Sequence, residues 1–262
     1  MQRYRKLRYL ESKLPILQRN LEGATAAEIL SWAVDTYGDG FIVSTSFQAE
    51  GMVILDMLSR ITKTARAMTL DTGRLPAETY QMIETVRERY GIAVEVVCPD
   101  AGEVESMVAS HGPNLFYRET AMRMLCCEIR KSRPLERKLK NMKAWAVGLR
   151  REQTESRSET PKVDLEATPV KISPLADWSR EQVESYIRQN DVPRHPLYAR
   201  GYTSIGCAPC TRAVNAGEDE RAGRWWWEQD VNKECGIHFT ADGRAQRTVD
   251  VLLEQVLGNR RA

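Results

Sequence analysis

The chain lacks any apolar run approaching the ~20 residues a bilayer-crossing helix needs, which excludes a membrane-spanning helix. It also lacks an excess of either charge. Thirty-eight Lys and Arg face 36 Asp and Glu, a net charge of +2, too even a balance to announce nucleic-acid binding. No internal repeat and no low-complexity segment is present. The first residues, MQRYRKLRYLESKLP, are charged and contain no apolar core of a secretory leader. The expectation is therefore a cytoplasmic protein, held in a reducing compartment where structural disulfides are rare. With 262 residues, 42% hydrophobic and 28% charged, the chain fits one large soluble domain or a domain with an appendage.

Against these absences stand six cysteines, five of them in a telling arrangement. Cys126 and Cys127 are adjacent, Cys207 and Cys210 form C-A-P-C, and Cys235 stands alone in E-C-G-I-H. Two pairs supply four thiolates, the complement of a four-iron cluster or a structural zinc. Zinc sites commonly use two spaced C-x₂₋₄-C pairs, and the Cys126-Cys127 pair has no spacer. Adjacent residues reach one small tetrahedral ion only with strain, whereas a cube of iron and sulfur offers separate irons. An iron–sulfur cluster is the better expectation, with zinc and a disulfide as the alternatives. Cys98 ends an apolar strand before Pro99 and reads as a packed core residue.

Helix and strand signals alternate along the chain. A capping box, Thr25 with Glu28, opens a helix that closes at Gly38. Strands are expected at 41–44, 65–70, 92–98, 144–149 and 169–173, and helices at 48–58, 76–90, 101–110, 116–141, 179–190 and 247–257. Residues 150–167 read as a polar loop. The alternation predicts an α/β fold, a twisted parallel sheet flanked by helices. The expected division is an N-terminal arm at 1–23, a nucleotide-binding α/β domain with the metal site at 24–216, and a C-terminal segment at 217–262.

Ligands of such sheets bind at the carboxyl ends of the strands. Ser44-Thr45-Ser46, Asp71-Thr72-Gly73 and Gly148-Leu149-Arg150 all fall there and are expected to converge on one site. The first makes a hydroxyl-rich anion site at a helix N-terminus, or merely a cap. Asp71 is placed to meet a ribose or adenine. Residues 130–143 carry seven basic side chains, among them Lys131, against the single acid Glu136; this is a solvated helix face or a site for an anion. Arg221 and Arg224, three apart, would share one side of a helix and suit phosphate or sulfate oxygens. Of the three tryptophans that follow, at least one is expected to face a site or partner. His238, three residues after Cys235, favours the thiolate of that cysteine and so a nucleophile.

Taken together, S-T-S-F-Q-A-E, L-D-T-G-R, Cys126-Cys127, G-L-R-R-E-Q, G-C-A-P-C-T-R, E-D-E-R-A-G-R-W-W-W-E and E-C-G-I-H resemble the assimilatory adenylyl-sulfate (APS) reductases. The motifs run in family order over about residues 40–239. The resemblance implies an adenine nucleotide α-hydrolase-like fold and a [4Fe–4S] cluster on Cys126, Cys127, Cys207 and Cys210. It further implies catalysis by Cys235, thioredoxin as reductant, and sulfite and AMP as products in sulfate assimilation toward cysteine. Lys131, Arg221, Arg224 and His238 would then offset the charge of the phosphosulfate, with Arg150 and Arg157 as further candidates. Where related ATP pyrophosphatases carry S-G-G-x-D-S, Thr45 and Ser46 replace both glycines, which argues against ATP cleavage. The alternatives are a reductase of the 3′-phosphorylated substrate (PAPS), dual use of both substrates, an iron–sulfur tRNA-thiolating enzyme, and a non-enzymatic iron–sulfur sensor. The oligomeric state, a homo-oligomer included, is left open by the residues.

Overall fold

The computed structural model describes residues 14–228 and the backbone of 237–239 and 245–247. Residues 14–23 are helical (α1). Then come α2 (Ala26–Tyr37), β1 (Phe41–Ser44), α3 (Ala49–Ile61), β2 (Ala67–Leu70), α4 (Ala77–Tyr90), β3 (Val94–Val97) and α5 (Ala101–His111). The chain continues through α6 (Thr120–Cys127), α7 (Arg133–Leu139), β4 (Ala144–Ala146), β5 (Val163–Asp164), β6 (Val170–Ile172) and α8 (Arg180–Asn190). β7 (Ile237–Phe239) and β8 (Ala245–Arg247) pair with each other. The helix expected at 247–257 lies outside the described residues.

Six strands form one sheet in the order β3-β2-β1-β4-β6-β5. β1 with β4 and β4 with β6 are parallel, in the registers Phe41↔Ala144 and Ala144↔Val170. The α/β expectation therefore holds, with one correction. The stretch read as a polar loop contains two short 3₁₀ turns and β5, which pairs antiparallel to β6 through Val163↔Ile172. Two residues are too short a run to show a period of two, so the edge strand leaves no pattern in the sequence.

By their contacts the described residues group into two compact units. The first draws on Met1–Ala67, Val86–Val94 and Asn141–Pro193, the second on Met68–Thr85, Glu95–Lys140 and Arg194–Ala262, in each case their described residues. In the first, Ile29, Leu30, Ile42, Val43, Ile54 and Leu58 are wholly buried. They lie on α2, β1 and α3, and α3 touches α2, β1 and α8. In the second, Phe116, Leu115, Met107 and Ile129 pack with Cys126, Cys207, Cys210 and Trp225. The thiols are thus part of a core, not a surface decoration.

The long helix expected over 116–141 is interrupted. After α6 comes a π turn, Glu128–Ser132, and only then α7. Pro134 supplies the reason: it has no N–H to give the carbonyl four residues back. The Arg133 N–H reaches instead to the Glu128 carbonyl, five residues back. π turns gather at functional sites, and this one starts directly after Cys127.

Ser179 caps α8, its hydroxyl accepting from the Gln182 N–H while the Gln182 side chain accepts from the Ser179 N–H. Ser179→Ala should cost about 1 kcal/mol of stability in urea unfolding. A loss below a few tenths would show that the cap contributes nothing there.

Candidate functional site

In the second unit the four paired cysteines line a single pocket with about 360 Å³ of empty space. Cys126 and Cys127 close the last turn of α6, and Cys207 and Cys210 bracket a 3₁₀ turn in which the Cys210 N–H donates to the Cys207 carbonyl at 2.9 Å. Arg74, Arg130 and Lys131 also line the pocket. Thr72 Oγ1 and Cys207 Sγ share a hydrogen bond at 3.2 Å, and Arg130 Nη1 donates to the Thr72 carbonyl at 2.6 Å. Burial pushes the Cys210 thiol up to about 12, aided by Cys207 and opposed by Lys131 and Arg224. Cys126 is also raised, by burial first, against the pull of Arg130, Arg74 and Lys131. Among the described residues no group of three or more His, Cys, Asp or Glu is placed to hold a metal ion. Four soft donors instead ring a hollow rimmed by cations.

The R-A-G-R-W-W-W-E segment corrects the expectation of a helical Arg pair. It is a series of turns, with Arg224 in an isolated bridge to Thr211. Arg224 is buried, donates to the Ile205 carbonyl at 3.2 Å, and lies over the Trp225 ring at 4.7 Å. A Cβ on Gly206 would come within 2.6 Å of its guanidinium, so only glycine admits Arg224 there. The Arg221 N–H donates to Asp219 Oδ1. Trp225 is buried, Trp227 half-buried and Trp226 exposed. Asp71 Oδ1 accepts from the Gly73 N–H at 2.8 Å and from the Tyr80 hydroxyl at 2.9 Å. Burial, then that bond to Asp71, pushes Tyr80 up to about 12. Cys98 is exposed, not packed: it follows β3, whose four residues include none that is fully buried.

The first unit holds the hydroxyl turn and the glycine–arginine segment. Thr45 is buried, and its Oγ1 accepts from the N–H of Phe47, a residue in the left-handed region at φ 58°. Ser44 is half-buried and Ser46 exposed, the latter accepting from Gln48 Nε2. Gly148 lies so close to α3 that a Cβ there would sit 2.7 Å from Glu50 Cβ and 3.0 Å from the Gly51 nitrogen. Arg150 is buried, its Nε donating to Glu50 Oε1 at 2.7 Å. Gln153 donates to the same oxygen at 3.0 Å and accepts from Arg157 Nη1 at 2.6 Å. Sequence reasoning missed Glu50 and Gln153. The available signal was an acid one residue into an otherwise apolar helix, where the N-terminal dipole favours it. Cys235 and the His238 side chain lie outside the described residues, although the His238 backbone belongs to β7.

Residues 40–213 match the family described as the phosphoadenosine phosphosulfate reductase domain. An adenosine 5′-phosphosulfate reductase of Allochromatium vinosum is 45% identical, covering 82% of this chain and 84% of its own. One from Pseudomonas aeruginosa is 42% identical over 86% of each. The solved phosphoadenylyl-sulfate (PAPS) reductase of Candida auris superposes with a TM-score of 0.64 at 29% identity, over 76% of this chain and 95% of that one. An FMN adenylyltransferase of Candida glabrata, at TM-score 0.52 and 13% identity, shares the fold alone.

Glu50→Ala should destabilise the chain by about 3–5 kcal/mol, because it leaves Arg150 buried without its carboxylate. Pairing it with Arg150→Met should recover most of that loss in thermal unfolding. Equal stability of the single and double variants would refute the coupling.

Proposed function

The chain belongs to the phosphoadenosine phosphosulfate reductase domain family, and from that premise we propose that it reduces adenosine 5′-phosphosulfate to sulfite and AMP at the expense of thioredoxin, in sulfate assimilation. The observation that carries this reading is the ring of four thiols beside Lys131 and Arg130, in a chain 45% identical to a reductase of that name.

Cys235 is the nucleophile. Its thiolate attacks the sulfur of the phosphosulfate; the S–O bond to phosphate breaks and its electron pair leaves with AMP. The product on the enzyme is an S-sulfocysteine. A thioredoxin thiolate then attacks the Cys235 sulfur and sulfite departs with the electron pair of the S–S bond. The second thioredoxin thiol resolves the mixed disulfide, returning Cys235 as a thiol and leaving thioredoxin oxidised. Both reactants of the first step are negative, so cations must offset their repulsion and the charge that develops on AMP. Lys131, Arg221, Arg224 and His238 take that part. Arg224 is favoured by its burial and by an Nε with no hydrogen-bond partner among the described residues. Arg150, already joined to Glu50, and Arg157, joined to Gln153, hold the shape of the turn that receives the nucleotide. Ser44, Thr45, Ser46, Gly148 and Asp71 complete its surroundings.

Cys126, Cys127, Cys207 and Cys210 would hold a [4Fe–4S] cluster: the donors are four soft thiols, they ring one hollow, and cations stand ready for their negative charge. Bound there, the cluster supplies a fixed electrostatic field next to Lys131. The protein acts in the cytoplasm, where those thiols stay reduced until loaded.

Anaerobically purified protein should be brown and carry about four irons per chain. Serine at any of the four positions should abolish colour and sulfite release together. One zinc and no iron would overturn the cluster.

Cys235→Ser should stay brown and bind the substrate, yet release no sulfite, since a hydroxyl is a far poorer nucleophile than a thiolate at neutral pH. In the wild type without thioredoxin, the Cys235 peptide should gain one sulfonate, which thioredoxin then removes. Normal turnover by Cys235→Ser, or an adduct on Cys98, would refute the mechanism.

A further inference from the structure

Arg123 stands on α6, three residues before Cys126 and four before Cys127, and lines the thiol pocket. Residues at those spacings share a helix face. Its guanidinium, only 1% exposed, grips Glu228 with two parallel bonds: Nε to Oε1 at 2.6 Å and Nη2 to Oε2 at 3.0 Å. The Glu228 carboxylate is 5% exposed. The same guanidinium lies 4.3 Å from the centre of the Trp225 ring. Trp225 itself is in the left-handed region, φ 42°, a conformation costly for a bulky side chain. It is held there from several sides. The Trp225 N–H donates to the Cys210 carbonyl at 3.2 Å, and the Glu228 N–H donates to the Trp225 carbonyl at 2.9 Å.

We propose that Arg123 and Glu228 are positioning residues: a clamp that fixes where, and in which direction, the chain leaves the thiol pocket on its way to Cys235. Stability alone is a poor reason for this pair. Desolvating two charges costs about what their attraction returns, and a well-packed apolar pair would hold the segment as firmly. What the fork adds is one geometry, because a bidentate Arg–carboxylate pair admits little rotation. Local strain of the Trp225 kind is kept where function uses it and the surroundings over-determine it. Cys235 follows Glu228 by seven residues, a tether that reaches at most about 25 Å. Within such a short tether the origin and heading of the chain set how often the thiol meets its target. The clamp binds that origin to the helix that carries two of the pocket's thiols. The inference rests on the reading of Cys235 as nucleophile.

The test uses full-length, iron-loaded protein and three variants: Glu228→Gln, which keeps the shape but loses the charge and one acceptor; Arg123→Lys, which keeps the charge but loses the fork; and the double Arg123→Met/Glu228→Met. Iron content and the KM for adenosine 5′-phosphosulfate should stay within about twofold, while single-turnover sulfonation of Cys235, followed by mass spectrometry, slows about 100-fold. Amide exchange at Trp225 and Glu228 should quicken at least about tenfold in Glu228→Gln. The double variant should melt at or above the wild type and still sulfonate slowly, which a purely stabilising pair would not do. Wild-type sulfonation by the double variant, or loss of iron in step with rate in all three, overturns the clamp. If wild-type protein forms no adduct at all, the functional reading fails. Exchange at the two amides then decides the clamp alone, and wild-type exchange in Glu228→Gln overturns it.

Discussion

Gathering four thiols around one buried hollow is the constraint on which the second unit depends. Burial opposes ionisation, and at Cys126 and Cys210 it outweighs the cations nearby. Without an occupant these groups hold their protons and pack as small hydrophobes, which is how they come to share a core with Phe116, Ile129 and Trp225.

Geometry is the second half of the constraint. Adjacent residues on an α-helix project about 100° apart, so Cys126 and Cys127 face one pocket only if it wraps around the end of α6. The end is made there by the π turn that Pro134 enforces. On the other wall, the short turn at Ala208–Cys210 brings Cys207 and Cys210 round together. Two unlike local structures, each set by a proline in or just beyond the turn, present the four sulfurs. An unspaced cysteine pair is intelligible in those terms.

Much of this was legible in the sequence. The strands β1, β2 and β4, the capping boxes at Thr25 and Ser179, and the pairing of the cysteines all rest on local chemistry, which a sequence displays. Misread features share one property: they depend on what a residue meets far along the chain. β5 exists because β6 offers it an edge. The Arg221–Arg224 segment is not helical because Arg224 is drawn under Gly206 and paired with Thr211. Cys98 is exposed although its neighbours are apolar, for β3 buries none of its four residues fully. Glu50 and Gln153 looked like ordinary surface side chains until Arg150 was found between them.

The basic residues that looked interchangeable in the sequence divide by their partners. Arg150 meets Glu50, Arg123 meets Glu228, and Arg133 meets Glu103 and Glu128. A guanidinium already matched to a carboxylate has little field left for an anionic ligand, but it holds two chain segments at a fixed distance. Arg130 and Arg224 are different: each is buried, bonded only to backbone carbonyls in the described contacts, and carries an Nε without a partner. Carbonyl oxygens orient a guanidinium without cancelling its charge. Positive charge kept in a dry pocket acts through a lower dielectric than water and so reaches further. Scaffold arginines and ligand-facing arginines are therefore told apart by what accepts their hydrogen bonds, a distinction that composition and spacing could not make.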